Sequence, residues 1–170
     1  MIRSLDGKTP IIQPTAFVSE FAYVVGDVKI GEGSSVWPGT VIRADSGTIT
    51  IGQNTCIQDN SVVHGDADVV IGDGVVIGHK VMCHARKVGD NSLIGSGATV
   101  NDGVDIGEGS LVASGAVVRE NTVVPSGSLV IGVPGKITGK VASRHTKLIE
   151  SIAAHYVAKG NRYKNSGGLE

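Results

Sequence analysis

Residues 94–117 have the sequence IGSGATVNDGVDIGEGSLVASGAV, which divides into four six-residue units that each begin with an aliphatic residue. The units start at Ile94, Val100, Ile106 and Val112, and their other positions are mostly glycine, small or polar. The three- and four-residue recurrence of an amphipathic helix is absent from this stretch. A fixed period of this kind indicates a repeat architecture in which each unit stacks on its neighbours.

The six-residue period extends over most of the chain and slips at three places. An aliphatic start recurs from Val18 to Val130, but phase is lost between residues 42 and 51, 63 and 71, and 83 and 88. His64, His79 and His84 lie close to the second and third slips. Interruptions in a repeat indicate that something other than architecture has been selected there, so these histidines are candidates for a functional site.

The fourth position of each unit predicts where the backbone bends. It holds glycine, asparagine or aspartate, the residues that adopt a left-handed conformation at the least cost. These residues are Gly33, Gly39, Asp45, Asn54, Asn60, Gly74, Asn91, Gly97, Gly103, Gly109, Gly115, Asn121 and Gly127. Lys80 occupies the same position in its unit, where it costs about 1 kcal/mol or more. Because β-branched residues dominate the first position, each unit is predicted to be a short strand with a bend. Stacked coils of such strands form a mainly β fold, the parallel β-helix.

The period divides the chain into three predicted segments. Residues 1–137 form the β-helix domain, since proline and glycine break the strand pattern shortly before its end. Residues 138–160 form a C-terminal α-helix packed on the β-helix, because apolar residues recur at three- and four-residue steps between Val141 and Tyr156. Residues 161–170 are predicted to be a disordered tail.

Composition limits the classes of partner and compartment. The formal net charge is −1 and the chain has no basic stripe, which argues against a nucleic-acid or membrane-surface partner. We detect no signal peptide and no transmembrane run. Two cysteines without metal-type spacing do not form a disulfide framework, so a reducing cytoplasm is the expected location.

The register also predicts how the histidines are arranged. If three units make one coil, Arg43, His64 and His84 point outward from one face on successive coils. The imidazoles of His64 and His84 are then one strand spacing apart, roughly 4.8 Å, and can share a zinc ion. His79 falls on the adjacent face near a corner, from which it can complete the site of a neighbouring chain in a three-fold assembly. Asp59 lies in the unit below that of His79 and is predicted to steady an imidazole.

Four motifs together resemble those of the γ-class carbonic anhydrases and their close homologues: Arg43-Ala-Asp45, Gln58-Asp-Asn60, Val63-His64 and Ile77-Gly-His79-x4-His84. The resemblance covers the repeats, the turn at residues 132–135 and the C-terminal helix. It implies a left-handed parallel β-helix that forms a homotrimer. The hexads alone are less specific, because many acyltransferases share them.

The resemblance implies a metal site between subunits and a reaction. His64, His79 and His84 would bind Zn²⁺, or alternatively Fe²⁺ or Co²⁺. The reaction implied is the reversible hydration of CO₂ to bicarbonate, with a metal-bound hydroxide as nucleophile. The other implied site residues are Arg43 and Asp45 as an intersubunit ion pair, Gln58 as the group that orients the hydroxide, and Tyr156 as a contact from the helix.

The sequence departs from the archaeal members of that family beside the first histidine. They carry a longer acidic loop with a glutamate proposed as the proton shuttle, whereas this chain has only Gly65-Asp-Ala-Asp68, in which Asp66 and Asp68 are the available substitutes. Ser46 replaces an acidic residue and Cys56 replaces an asparagine. A high turnover is therefore not expected.

Two other functions remain open. One is a hexapeptide acyltransferase that uses acetyl-CoA, with a histidine as general base at the subunit joint. The other is a non-catalytic metal-binding or scaffold homologue. At the level of single residues, Arg43 and Asp45 also suit an ordinary interface ion pair, and Tyr156 also suits packing on the apolar face of the helix.

Overall fold

The computed structural model describes residues 1–166, and the chain is a left-handed parallel β-helix of about seven turns with one C-terminal helix. The predicted fold class is confirmed. The strands in chain order are β1 Ile2–Arg3, β2 Ile11–Ile12, β3 Phe17–Val18, β4 Tyr23–Ile30, β5 Ser35–Val36, β6 Val41–Ile51, β7 Cys56–Ile57, β8 Val62–His64, β9 Val69–Ile71, β10 Val76–Ile77, β11 Met82–Cys83, β12 Lys87–Val88, β13 Leu93–Ile94, β14 Thr99–Val100, β15 Asp105–Ile106, β16 Leu111–Val112, β17 Val117–Val118, β18 Val123–Val124, β19 Ser128–Ile131 and β20 Lys136–Lys140.

The strands stack into three faces. The histidine face consists of the first half of β6 followed by β8, β11, β14 and β17, and the second face consists of the other half of β6 followed by β9, β12, β15 and β18. The third face, here the helix face, runs from β3 through β5, β7, β10, β13 and β16 to β19. The strands pair in parallel except at β19 and β20, which are antiparallel. The interior is a column of aliphatic side chains that includes the fully buried Ile57, Ile77 and Ile94.

The bends between strands confirm the left-handed positions with one exception. Every residue predicted to adopt positive φ does so apart from Asp45, and Lys80 has a φ of 56°. The prediction for Asp45 is wrong because residues 41–51 form one continuous strand that passes from one face to the next without a tight bend. Asp45 is therefore part of an extended strand, with its side chain at the edge of the histidine face.

All three slips of the repeat fall at one corner of the prism. The additional residues between 42 and 51 and between 63 and 71, and the missing residue between 83 and 88, lie where the histidine face meets the second face. This corner carries the residues from Ala44 to Gly47, the loop from Gly65 to Asp68, and Ala85 with Arg86. The irregular part of the sequence is thus concentrated beside β8 and β11.

The C-terminal helix, α1, spans Ser143–Asn165 and lies on the helix face. Ile149 and Ala153 are buried against Cys56 and Val76. The prediction of a helix over residues 138–160 is wrong at both ends, because residues 136–140 form β20 and the helix continues for five residues past Gly160. Gly160 does not end the helix; its missing side chain allows close packing on Phe17, whose Cβ would lie 3.2 Å from a Cβ at this position.

The predicted disordered tail is therefore partly wrong, since residues 161–165 are helical, and residues 167–170 lie outside the described part of the chain. Within residues 1–166, no helix combines the length and hydrophobicity needed to cross a membrane.

Candidate metal centre

His64 and His84 are brought together by the register of the histidine face. β8 pairs in parallel with β11, with Val63 opposite Cys83, so the next residue of each chain segment projects outward at the same level. His64 Nδ1 lies 2.5 Å from His84 Nε2, and the ring centroids are 4.7 Å apart. His64 is only 7% exposed. The two imidazoles thus form a partly buried pair at the corner where the repeat is interrupted.

A carboxylate lies behind each imidazole. His64 Nε2 is 2.9 Å from Asp45 Oδ1, and His84 Nδ1 is hydrogen-bonded to Asp102 Oδ1. An ionised carboxylate only accepts hydrogen bonds, so these two ring nitrogens carry the protons. Such support from behind is typical of metal-ligating histidines, because it fixes the tautomer and the orientation of the ring.

The tautomers leave two lone pairs facing each other. In a neutral imidazole the second nitrogen is an acceptor, so His64 Nδ1 and His84 Nε2 both present lone pairs across 2.5 Å. That contact is repulsive unless a proton is shared between the two atoms, or unless the rings separate to the roughly 3.3 Å at which two nitrogens can bind the same tetrahedral metal ion. Imidazole nitrogen is a common ligand of Zn²⁺, Fe²⁺ and Co²⁺. The donor set therefore fits a divalent metal ion held by these two rings.

Arg43 and Asp45 form an ion pair within one chain. Arg43 lies opposite His64 in the strand register, and its Nη1 donates to Asp45 Oδ2. The resemblance implied a pair between subunits, whereas in this structure both partners come from the same strand. The hydrogen bond from His64 and the guanidinium of Arg43 hold the pKa of Asp45 below its usual value, against the opposite effect of desolvation. Asp45 therefore remains an ionised acceptor for His64.

His79 lies apart from this pair. It follows β10 at the corner between the helix face and the histidine face, and its side chain is 47% exposed. Its Nδ1 is 3.0 Å from Asp59 Oδ2, one coil below. The group of potential metal ligands found among the described residues contains His64, Asp66 and His84 and does not include His79. A ligand role for His79 thus requires a second copy of the chain.

Gln58 and Tyr156 both lie close to Cys56, at the helix face. Gln58 is buried, and its Nε2 donates to Cys56 Sγ at 3.8 Å. Tyr156 packs edge-on against Trp37 with ring centroids 5.2 Å apart, and burial together with the nearby Cys56 and Asp59 raises its pKa. Burial raises the pKa of the Cys56 thiol to about 12, so this thiol stays protonated and is a packing group beneath the helix.

Two residues of this site are not predicted from the sequence. Asp102 orients His84, and its signal was available, because it lies one coil above His84 at the same corner. Asp66 was considered only as a proton acceptor, whereas its carboxylate and ligand atoms of His64 and His84 all lie within 4.8 Å of one another. The short loop therefore places a carboxylate at the imidazole pair.

Known proteins of similar sequence and structure have the same fold, and their alignments include the residues of the candidate site. Residues 9–44 and 87–120 match the family described as bacterial transferase hexapeptide (six repeats). A crystal structure of a hexapeptide transferase family protein from Anaplasma phagocytophilum has a TM-score of 0.92 at 36% identity and covers 96% of this chain and 98% of that one. The coils and these matches define a hexapeptide-repeat protein.

Two curated relatives, both named as carbonic anhydrases, indicate which hexapeptide-repeat family the chain belongs to. The chain is 45% identical over 166 residues to a carbonic anhydrase of Geobacillus kaustophilus, covering 96% of this chain and 91% of that protein. It is 38% identical over 173 residues to the mitochondrial gamma carbonic anhydrase 2 of Arabidopsis thaliana, covering 96% of this chain and 62% of that protein. The chain belongs to the γ-class carbonic anhydrase-like family of hexapeptide-repeat proteins.

Proposed function

We propose that this protein is a metal-dependent enzyme that hydrates CO₂ reversibly to bicarbonate. The observation that carries the proposal is the imidazole pair, in which His64 Nδ1 and His84 Nε2 face each other and each ring is held from behind by a carboxylate. The similarity to proteins named carbonic anhydrase supports the choice of reaction. The two free, buried cysteines are typical of a reducing compartment, and we place the protein in the cytoplasm.

We further propose that the active form is a homotrimer with one Zn²⁺, Fe²⁺ or Co²⁺ at each subunit joint. His64 and His84 of one chain and His79 of a neighbouring chain would hold the ion. His79 is half-exposed at a corner and is steadied by Asp59, so its imidazole is accessible to act as a metal ligand for a neighbouring chain. When bound by neutral imidazoles, such an ion keeps its charge and lowers the pKa of water to about 7, which supplies a nucleophile for CO₂.

The other residues act by holding these groups. Asp45 and Asp102 fix the tautomers of the two imidazoles, and Arg43 forms an ion pair with Asp45. The Gln58 amide, buried beside the His79 corner, would orient the reacting oxygen by a hydrogen bond. The loop from Gly65 to Asp68 is short, so we expect proton transfer to buffer to limit turnover.

An acyltransferase is the second candidate, and similarity to the Anaplasma phagocytophilum hexapeptide transferase family protein favours it. In that case one histidine would act as a general base and acetyl-CoA would bind at the subunit joint. Two imidazoles that present lone pairs to each other are poorly arranged for a general base, because only one is needed and the second competes for the same proton. A non-catalytic metal-binding scaffold would keep the metal without the activity.

The experiment combines metal analysis with stopped-flow CO₂ hydration on protein purified without oxygen. We expect about one divalent metal ion per chain and a hydration rate well above the buffer rate that disappears after chelation and returns when metal is added. Protein that is folded and free of metal would contradict the proposal. Metal-loaded protein without a rate above buffer would favour the scaffold, and saturable binding of acetyl-CoA would favour the acyltransferase.

A further inference from the structure

Asp66 is placed at the imidazole pair by the shortness of its loop. Only Gly65 separates it from His64, and the loop returns to the second face at Val69. One carboxylate oxygen of Asp66 and one ring nitrogen each of His64 and His84 all lie within 4.8 Å of one another. His64 is more than nine-tenths buried, and its Nδ1 faces the acceptor nitrogen of His84. A cation at this point would therefore have three donor atoms from a single chain.

The second carboxylate of the loop has a different role. Asp68 Oδ1 accepts a hydrogen bond from the backbone N–H of Thr48 at 2.8 Å, which ties the loop to β6. Asp66 is exposed and lines a pocket of about 270 Å³ together with His84, Arg86 and Asp102. The two aspartates carry the same charge only two residues apart, but only Asp66 belongs to the ligand group with the imidazoles.

We propose that Asp66 is a metal ligand, so that a single chain binds a divalent first-row metal through His64, Asp66 and His84 independently of His79. This inference rests on the proposed function and changes its metal site from three ligands to four. Two imidazoles and one carboxylate are the donor set typical of non-haem Fe²⁺, and the set also accepts Co²⁺ and Zn²⁺. The in-chain ligands hold the ion, and His79 of the neighbouring chain tightens a site that already exists.

The test is anaerobic titration with Co²⁺, followed by its visible absorption and by equilibrium dialysis. We expect His79→Ala to retain one Co²⁺ per chain with affinity lowered about tenfold to a hundredfold, since one of four ligands is lost. Adding Asp66→Asn to His79→Ala is expected to lower the affinity by a further factor of about ten or more and to change the absorption spectrum. Asp68→Asn in the same background removes the same charge and is expected to change the affinity less than about threefold.

The outcomes separate this inference from the proposed function. If wild-type protein binds Co²⁺ but His79→Ala binds none, or if Asp66→Asn and Asp68→Asn have equal effects, the Asp66 ligand is wrong and the three-histidine site stands. If wild-type protein itself binds no Co²⁺, the proposed function fails as well. Far-ultraviolet circular dichroism of each variant verifies that the β-helix is intact.

Discussion

Replacement of His84 by alanine is expected to lower the affinity for a divalent metal by about two hundredfold to five thousandfold and to reduce CO₂ hydration to the buffer rate. A structural Zn²⁺ site is worth roughly 10–16 kcal/mol, so the loss of one of its few ligands removes on the order of 3–5 kcal/mol. His84 lies on the surface of the β-helix with its side chain 15% exposed, and its removal leaves the aliphatic column intact. Dialysis against buffered Zn²⁺ and stopped-flow hydration measure the two effects.

Two further variants serve as a milder comparison and a control for His84→Ala. Asp102→Asn removes only the carboxylate that orients His84, and we expect it to weaken metal binding by about 10–100-fold. His155→Ala removes an exposed histidine of the helix and is expected to leave both measurements unchanged. Equal metal content in His84→Ala and wild-type protein would show that the imidazole pair is not the metal site.

Replacement of Ile77 by alanine is expected to destabilise the fold by about 3–4 kcal/mol. Ile77 is fully buried in β10, between Ile57 below and Ile94 above, so the vacated space cannot be filled by collapse from one side. The narrow prism contains a single aliphatic column. A cavity left by the Ile77 side chain lies in the same coil as His79, which follows two residues later in the chain. The free energy of unfolding from urea titration measures the effect, with chelator present and at one protein concentration, since metal and assembly both add stability.

Val123→Ala is the matched control for this prediction. Val123 is 67% exposed on the second face, and we expect its truncation to change the free energy of unfolding by less than about 1 kcal/mol. Similar losses in Ile77→Ala and Val123→Ala would contradict the assignment of Ile77 to the core.

The six-residue period predicted most of the fold because each position of the unit has one physical requirement. The first position must be aliphatic to fill the column, as at Ile57 and Ile94, and the fourth must tolerate positive φ, as at Asn54. The position of a residue in the repeat therefore determines whether its side chain points inward or outward, and the stacking of His64 on His84 follows from this. Gly160 shows the limit of such patterns, because a glycine that permits close packing cannot be distinguished in sequence from one that ends a helix.

The candidate site was predicted less completely where the repeat is irregular. A period gives the direction of side chains only while it holds, and at the slips the backbone path depends on the length of each insertion. Asp45 was assigned to a bend and lies in a strand, and the position of Asp66 depends on a loop with no periodic constraint. The role of His79 depends on the arrangement of subunits, which one chain does not determine.

Co-expression of two variants that each lack part of the site tests the shared metal centre most directly. His84→Ala chains lack the imidazole pair but offer His79, whereas His79→Ala chains offer the pair. The two chains are given different affinity tags, and mixed trimers are isolated by successive purification on both. Each mixed trimer contains two chains of one kind and one of the other, so one of its three subunit joints is complete, and we predict CO₂ hydration at roughly a third of the wild-type rate, well above that of either variant alone. Mixed trimers no more active than either variant alone would contradict a catalytic centre formed by His64 and His84 of one chain with His79 of another.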